Sequence, residues 1–319
     1  MLNSASSVFS ARPCFDAHVT MPVLVTLRTA VVERDWPAVA RFFAGLTHED
    51  ERAYACSYVG GLDGCEAFLE QAVADHPGDP LARCLLADRR IRIGWGIRSS
   101  ARAQHVTPEQ FDQFHAWLRR AEGLLIEVCA EYPDYALGWY LRLITARGLE
   151  LGPSETRRRY DRLAEHHPHH YPAQTQLLQL LCPKWGGSWE AAFGFAKECA
   201  AAAPPGGHSA TLVAEAHLEK WLDLSPREGG RWMAQPAVRD ELTAAAAHSV
   251  LHPHYRPGFH WISAHGFFAA ALSLGGHYAE AAPHFRALGD AATRHPWDYL
   301  DDDPAAAFLR HRKHALAKG

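Results

Sequence analysis

The chain has 319 residues, of which 48% are hydrophobic and 21% are charged, a composition typical of a globular protein. Its formal charge of −4 at pH 7 gives no general attraction to nucleic acid or to an anionic membrane, so neither is an expected partner. The seven cysteines include no C-x-x-C pair, and no apolar run approaches the roughly 18 residues of a membrane span. These features predict a cytoplasmic protein without a disulfide framework.

The N-terminal third shows helical patterns after an irregular start. Residues 1–20 lack helical periodicity, and we expect them to be disordered or to precede the native start, with Met21 as an alternative first residue. Paired helical patterns follow at 23–45 and 48–75, and a longer helix is predicted from Asp79-Pro80 onward. The segment 97–106, which contains Arg and Ser, predicts a break in the stacking of the helices.

The stretch 111–128 carries the clearest amphipathic pattern of the chain. Its apolar residues are spaced three or four apart and share one stripe of a helix: Phe111, Phe114, Leu118, Ala121, Leu125 and Val128. Thr107 is the predicted N-cap, with Pro108 at the first helical position and Gln110 three residues after the cap. Pro133 ends the helix because proline lacks an N–H donor.

The C-terminal half continues with helices and no alternating strand pattern, so the sequence predicts an all-α protein. Further helices are predicted at 171–182, 189–203, 210–222, 236–251 and 259–274, with Ser225-Pro226 and Gly229-Gly230 in a connecting segment. The helix at 259–274 is apolar on two faces, which indicates that it lies between neighbouring helices. A final helix is predicted to begin at Asp303-Pro304 and to cap the helical stack.

Four segments share one set of offsets. Each segment begins with a small residue, has further predicted core residues four and seven positions after it, and ends with a proline twelve positions after it. The segments are 65–77, 121–133, 156–168 and 192–204. Pro133, Pro168 and Pro204 are 35 and 36 residues apart. A small residue lets two helices approach closely, and the proline then turns the chain. The pattern therefore indicates repeated helical hairpins.

This pattern resembles the second helix of the tetratricopeptide-repeat (TPR) family, whose period is about 34 residues. Trp36, Trp189 and Tyr278 each stand three residues before the small position, and the segment 276–281 is the most similar to the TPR pattern. Most units lack the opening Trp-Leu-Gly-Tyr set, so the resemblance is to a degenerate, TPR-like repeat. Separately, the segment 184–190 is similar to one in uncharacterised bacterial TPR-like proteins.

The resemblance implies a fold and a function. The expected fold is a TPR-like right-handed α-solenoid of antiparallel helical hairpins, formed by residues 21–319 as a single domain. The expected function is that of a scaffold that binds a partner protein or peptide in a concave groove, without a cofactor. The residues expected to bind the partner are Trp139, Tyr140, Arg142 and Trp185.

The histidines support an alternative prediction. Among the 21 histidines, His252, His254 and His260 in the C-terminal third are close enough in sequence to converge on one metal ion. An enzyme or a small-molecule-binding or metal-binding protein is therefore the alternative to the scaffold. The sequence contains no G-x-S-x-G or H-E-x-x-H motif, so no catalytic residue is assigned and a non-enzymatic protein is favoured. The basic run 157–159 is better explained as a solvated helix face than as a phosphate site.

Overall fold

The computed structural model describes residues 12–98 and 106–319. The α-helices of this described part are α1 (Ala17–Thr20), α2 (Val23–Val32), α3 (Trp36–Ala44), α4 (Glu49–Gly60), α5 (Glu66–Asp75), α6 (Pro80–Arg98), α7 (Pro108–Glu131), α8 (Ala136–Gly148), α9 (Pro153–Ala164), α10 (Tyr171–Leu181), α11 (Trp189–Ala202), α12 (Thr211–Asp223), α13 (Pro226–Met233), α14 (Pro236–His248), α15 (Trp261–Leu274), α16 (Tyr278–Leu288) and α17 (Pro304–Lys318). Short 3-10 helices lie at Pro183–Trp185, His208–Ala210 and Trp297–Tyr299. The prediction of an all-α protein is confirmed for these residues.

The chain forms two compact units. The N-terminal unit is formed by residues 23–187 and the C-terminal unit by residues 188–319, with residues 12–22 part of the latter. Within the described ranges, no helix is both long enough and apolar enough to cross a membrane. The single solenoid domain stays a prediction. The expected break near 97–106 falls largely on residues 99–105, which lie outside the described part of the chain.

Residues 12–20, for which the sequence shows no helical periodicity, belong to the C-terminal unit. The side chain of Asp16 accepts a hydrogen bond from the backbone of His18 at 2.8 Å and caps α1. The backbone of Cys14 donates to Asp290 at 2.6 Å and accepts from Ala292 at 3.0 Å. Backbone pairing of this kind carries no hydrophobic pattern, and the sequence analysis therefore missed it.

Helix α7 begins and ends where its local sequence signals predict. Thr107 and Gln110 form a capping box, in which each side chain accepts a hydrogen bond from the other residue's backbone N–H, at 3.3 and 3.0 Å. The helix ends at Glu131, two residues before Pro133. Five of the six stripe residues are buried, and Phe111 is partly buried.

The repeated offsets mark core positions. In all four segments, the small residue and the residues four and seven positions after it are buried. They are Cys65, Leu69, Ala72, Ala121, Leu125, Val128, Thr156, Tyr160, Leu163, Ala192, Ala196 and Cys199. The helices that carry them pack on the next helix along the chain, as α5 does on α6, α7 on α8 and α11 on α12. The pattern thus predicted the buried faces correctly. The handedness and stacking of a solenoid do not follow from this burial.

Helix α8 lies in the middle of the N-terminal unit. It packs against α4, α6, α7, α9 and α10, and α4 also contacts α10. Gly148 allows a close approach to α7, because a Cβ at this position would lie 2.4 Å from Cδ1 of Leu118. As a result, α8 is buried around most of its circumference, a property of a central helix.

A buried ionic network joins α7, α8 and α9. The carboxylate of Glu122 accepts hydrogen bonds from Arg142 at 3.0 Å and from Arg159 at 2.8 Å, and all three residues are buried. Thr145 also donates to Glu122, and Glu155 pairs with Arg159 at 2.7 Å. The two buried guanidinium groups therefore both have carboxylate partners, as charges removed from water require, and Glu155 also binds the exposed Arg158.

The C-terminal unit is built around α12 and α15. Helix α12 packs against α11, α13, α14 and α15, while α15 also contacts α16 and α17. The prediction that 259–274 is enclosed by neighbouring helices is confirmed, since α15 is buried on all sides between Ala264 and Ser273. Its His265 forms a hydrogen bond between ring nitrogens with His284 of α16, at 3.1 Å.

Helix α13 corrects the sequence prediction of a connecting segment at 225–230. Glu228 accepts hydrogen bonds from the backbone and the hydroxyl of Ser225, at 3.3 and 2.6 Å, and these begin the helix. Gly229 lies against Trp221, where a Cβ would stand 2.7 Å from the indole ring. The glycine therefore serves close helix packing and does not mark a loop.

The ionic network of α7, α8 and α9 leads to a first prediction. Replacing Glu122 by Ala leaves Arg142 and Arg159 without their shared carboxylate, so the free energy of unfolding is expected to fall by about 3–5 kcal/mol. Glu127→Ala is the control on the same helix, since Glu127 is 65% exposed and 4.0 Å from Arg83. It is expected to cost about 1 kcal/mol or less. Urea denaturation measures both, and equal losses would contradict the role given to the network.

The His265–His284 pair predicts acid sensitivity. Burial lowers the pKa of His265 to about 4, and burial together with His265 holds the pKa of His284 well below 6.5. The unfolded chain therefore takes up protons below about pH 6.5 that the folded chain does not, so stability is lost as the pH falls toward 4.

The matching experiment measures unfolding by urea between about pH 7.5 and 5. In the double variant His265→Leu/His284→Leu, the slope of stability against pH should fall by up to about 1.4 kcal/mol per pH unit for each proton no longer taken up. The exposed His254, replaced by Leu, is the control that should keep the wild-type slope. An unchanged slope in the double variant would show that other groups govern the acid response.

Candidate functional site

A pocket of about 310 Å³ opens on the C-terminal unit among α11, α12, α13 and α14. We call it the aromatic pocket. Its walls are Trp189, Phe193 and Trp232, its polar groups are Lys197, His217, Lys220 and Glu241, and the remaining lining residues are Glu190, Gln235, Ala237 and Val238. Except for His217 and Val238, these side chains are partly or fully exposed, so the pocket is open to a ligand.

Helical spacing brings the pocket residues together. Trp189, Phe193 and Lys197 follow at intervals of four and share one face of α11, which Ser188 caps by accepting a hydrogen bond from Ala191 at 3.1 Å. His217 and Lys220 are three residues apart on α12, and Glu241 stands three residues after Val238 on α14. The Trp232 wall comes from the short helix α13.

His217 links three of the four helices. The indole nitrogen of Trp232 donates a hydrogen bond to Nδ1 of His217 at 3.1 Å. Because an indole N–H only donates, Nδ1 is the acceptor and Nε2 carries the proton of the neutral imidazole. Nε2 then donates to Glu241 at 3.1 Å. Both ring nitrogens are therefore engaged.

The electrostatics keep this arrangement in one protonation state. Burial lowers the pKa of His217 to about 4, although the hydrogen bond to Glu241 acts in the opposite direction. Burial raises the pKa of Glu241, but hydrogen bonds from Lys197 and His217 outweigh it, so the pKa lies below its usual value. At neutral pH the imidazole is uncharged and Glu241 is a carboxylate.

Lys220 lies over the aromatic walls. Its ammonium nitrogen is 4.2 Å from the ring centre of Trp232, 5.7 Å from that of Trp189 and 5.9 Å from that of Phe193. These are cation–π distances. Lys197, the other cation of the pocket, forms an ion pair with Glu241 at 2.8 Å.

Three of the predicted partner-binding residues are buried in the N-terminal unit. Trp139, Tyr140 and Arg142 are 7%, 8% and 9% exposed. The indole of Trp139 donates to the carbonyl of Pro133 at 2.8 Å, and Arg142 pairs with Glu122. Neighbouring helices enclose α8, so these three side chains offer little surface to a partner, and their role in partner binding stays a prediction.

Trp185 has a different position. It ends the 3-10 helix Pro183–Trp185 and is partly exposed. The guanidinium of Arg147 lies 5.5 Å from the centre of its ring. Trp185 remains a predicted partner-binding residue of the N-terminal unit.

The three histidines of the metal hypothesis do not form a metal site. The backbone of His254 donates to Nδ1 of His252 at 3.1 Å, whereas the ring of His260 lies 6.1 Å from that of His208. Across residues 12–98 and 106–319, no group of three His, Cys, Asp or Glu side chains is arranged to hold a metal ion.

A second cavity, of about 740 Å³, follows α9 and α10 in the N-terminal unit. Its lining includes Arg157 and Arg158 of the basic run, together with Arg162, and each of these side chains lies near a carboxylate of α9 or of the residue that follows it. Arg157 bonds Asp161 at 2.8 Å, Arg158 bonds Glu155 at 2.8 Å, and Arg162 lies 3.6 Å from Glu165. Each of these arginines therefore already has a carboxylate partner, although Glu155 also pairs with Arg159, and the aromatic pocket is the stronger candidate.

Sequence reasoning missed the pocket although signals for parts of it were present. The Trp189, Phe193 and Lys197 spacing marks a mixed aromatic and basic helix face, and the Ser225–Glu228 capping box would have revealed α13. His217, Lys220 and Glu241 belong to no motif, because they meet only through the packing of α12 on α14. No protein-family model matches the chain, and no curated protein matches it either.

Two matched substitutions test the hydrogen bonds of the pocket. Trp232→Phe keeps a ring in the wall but leaves the buried Nδ1 of His217 without a donor, so a loss of about 1–3 kcal/mol in unfolding free energy is expected. Trp189→Phe also removes an indole N–H, but its acceptor Asp223, at 3.2 Å, is exposed and can bind water instead. That loss is expected to stay below about 1 kcal/mol.

Urea denaturation compares these two variants directly. A long-range ¹H–¹⁵N spectrum of the wild type should in addition show His217 with its proton on Nε2 at neutral pH. A proton on Nδ1, or equal costs for the two substitutions, would contradict the hydrogen-bond assignment.

Proposed function

We propose that the chain is a non-enzymatic interaction protein that binds a peptide segment of a partner protein, with the aromatic pocket as the anchor site. The observation that carries this proposal is the group of partly exposed rings, Trp189, Phe193 and Trp232, around an open cavity. Exposed aromatic residues in a concave site are typical anchors of protein interfaces. A volume of about 310 Å³ is at the small end for ligand sites and fits one or two side chains.

The proposal keeps the TPR-like scaffold as its structural framework. Helical hairpins that pack on their neighbours give a surface of fixed shape, which suits recognition of an extended or helical segment. The buried repeat positions support such packing. However, we assign the proposed binding site to the open pocket formed by α11 to α14, and not to the enclosed helix α8. A cytoplasmic location belongs to the same proposal, supported by six buried cysteines, which suit a reducing compartment.

The pocket is poorly suited to catalysis, which was the alternative for the C-terminal third. A general base needs a free lone pair, but Nδ1 of His217 accepts from Trp232 and Nε2 bonds Glu241. Glu241 is itself paired with Lys197. The residues that line the pocket include no hydroxyl or thiol nucleophile. Recognition therefore explains the chemistry of the pocket better than turnover does.

The proposal is tested by selecting peptides and then removing one wall of the pocket. A display library of random peptides, about 12 residues long, is selected on the immobilised full chain, and enriched peptides are measured by fluorescence anisotropy. Trp232→Ala removes a central aromatic anchor, so we expect it to weaken binding by about thirty-fold, which corresponds to about 2 kcal/mol.

Arg231→Ala is the matched control for that experiment. Arg231 is an exposed neighbour on the same helix and does not line the pocket. Its replacement should leave the affinity unchanged. Failure of the library to enrich any sequence, or equal affinity of enriched peptides for wild type and Trp232→Ala, would overturn the proposed function.

A further inference from the structure

We infer that the aromatic pocket selects an acidic peptide segment, in which the carboxylate of an Asp or Glu pairs with Lys220 while a neighbouring apolar side chain packs on Trp232. This inference rests on the proposed function and adds the charge of the ligand. It follows from the ion pair between Lys197 and Glu241 and from the position of Lys220 over the aromatic rings.

Lys220 is the charge that a ligand can neutralise. Among the described residues, no carboxylate lies within ion-pairing distance of its ammonium group, and its closest partner is the ring of Trp232, at 4.2 Å. An ammonium group has three N–H donors, and aromatic faces attract its charge without accepting strong hydrogen bonds. The rings therefore hold Lys220 in the pocket and leave donors for an incoming acceptor.

The carboxylates of the pocket offer less to a cationic ligand. Glu241 already accepts from Lys197 at 2.8 Å and from His217 at 3.1 Å. Glu190 is an exposed residue in the first turn of α11, where the helix N-terminus stabilises a negative charge. The position over the rings that a ligand cation would take is filled by Lys220 itself. Charge complementarity therefore favours an anionic group.

The surroundings of Lys220 favour a carboxylate joined to an apolar body. Phe193 and Trp232, whose ring centres are 5.9 Å apart, provide apolar contact beside the ammonium group. An ion pair formed next to such rings is partly shielded from water, which strengthens it relative to a fully exposed pair. An acidic residue next to an apolar one in a peptide satisfies both parts of the pocket.

The test uses three pools of acetylated and amidated hexapeptides that differ in one fixed residue. That residue is Glu in the first pool, Gln in the second and Lys in the third, with the other positions randomised identically. Capping removes the terminal charges, so the fixed residue is the only systematic difference in charge. The pools are passed over the immobilised full chain, and retained peptides are counted by mass spectrometry. We expect the Glu pool to be retained about ten-fold more than the Gln pool.

Variants assign the selectivity to Lys220. Lys220→Met keeps an unbranched side chain that packs well on aromatic rings but carries no charge, so the preference for Glu should disappear while apolar peptides are still retained. Lys220→Arg should restore most of the preference. The control is Lys313→Met, which removes an exposed lysine of α17 outside the pocket and should behave as wild type. Circular dichroism at the assay temperature establishes that each variant is folded, including Trp232→Ala, whose thermal midpoint is expected to fall because His217 loses its hydrogen-bond donor.

The outcomes separate this inference from the proposed function. Equal retention of the Glu and Gln pools by the wild type, with both lost in Trp232→Ala, overturns carboxylate selection and leaves peptide binding in place. A preference for the Lys pool, or a preference for Glu that persists in Lys220→Met, overturns the inference as well. If no pool is retained above the Trp232→Ala background, both proposals fail.

Discussion

The aromatic pocket depends on the neutral imidazole of His217. Its two hydrogen bonds join α12 to α13 through Trp232 and to α14 through Glu241, so three helices share one buried group. Because burial lowers the pKa of His217 to about 4, both bonds persist at neutral pH. The indole of Trp232 is thereby held in a fixed orientation, with its ring 4.2 Å from the ammonium nitrogen of Lys220. The buried hydrogen bond between His217 and Trp232 thus fixes the ring that faces Lys220 at the surface of the pocket.

The N-terminal unit uses buried polar groups in another way. Glu122, Arg142 and Arg159 join α7, α8 and α9, and Arg159 also pairs with Glu155, so each buried charge faces an oppositely charged protein group. Buried charges of this kind require partners for every member, because an unpaired one carries a large desolvation cost. They leave nothing for a ligand to complete. The aromatic pocket of the C-terminal unit differs from this network. There the ammonium group of Lys220 lies over the rings of Trp189, Phe193 and Trp232.

The sequence predicted those features that depend on neighbours along the chain. The capping box of Thr107, the stripe of α7 and the buried repeat positions are set by spacings of three to seven residues, and all of them are confirmed. The exposure of Trp139 and Tyr140 depends instead on whether other helices cover α8, which helical periodicity does not encode. The pocket was missed for the same reason. His217 and Glu241 are 24 residues apart and meet only in the packed unit.

The aromatic pocket does not coincide with the repeat positions of the sequence. In the TPR-like pattern, an aromatic residue stands three positions before a small residue, and the small residue Ala192 is buried. Trp189 occupies that position, yet it is partly exposed, its indole bonds Asp223 at 3.2 Å, and its ring lines the pocket. Trp232 lies outside this pattern, on the short helix α13, which begins at the capping box of Ser225 and Glu228. The repeat positions form the buried contacts between helices, whereas the walls of the pocket come in part from a segment outside the repeat pattern. The short helix α13 is such a departure, and without it the pocket would have no Trp232 wall.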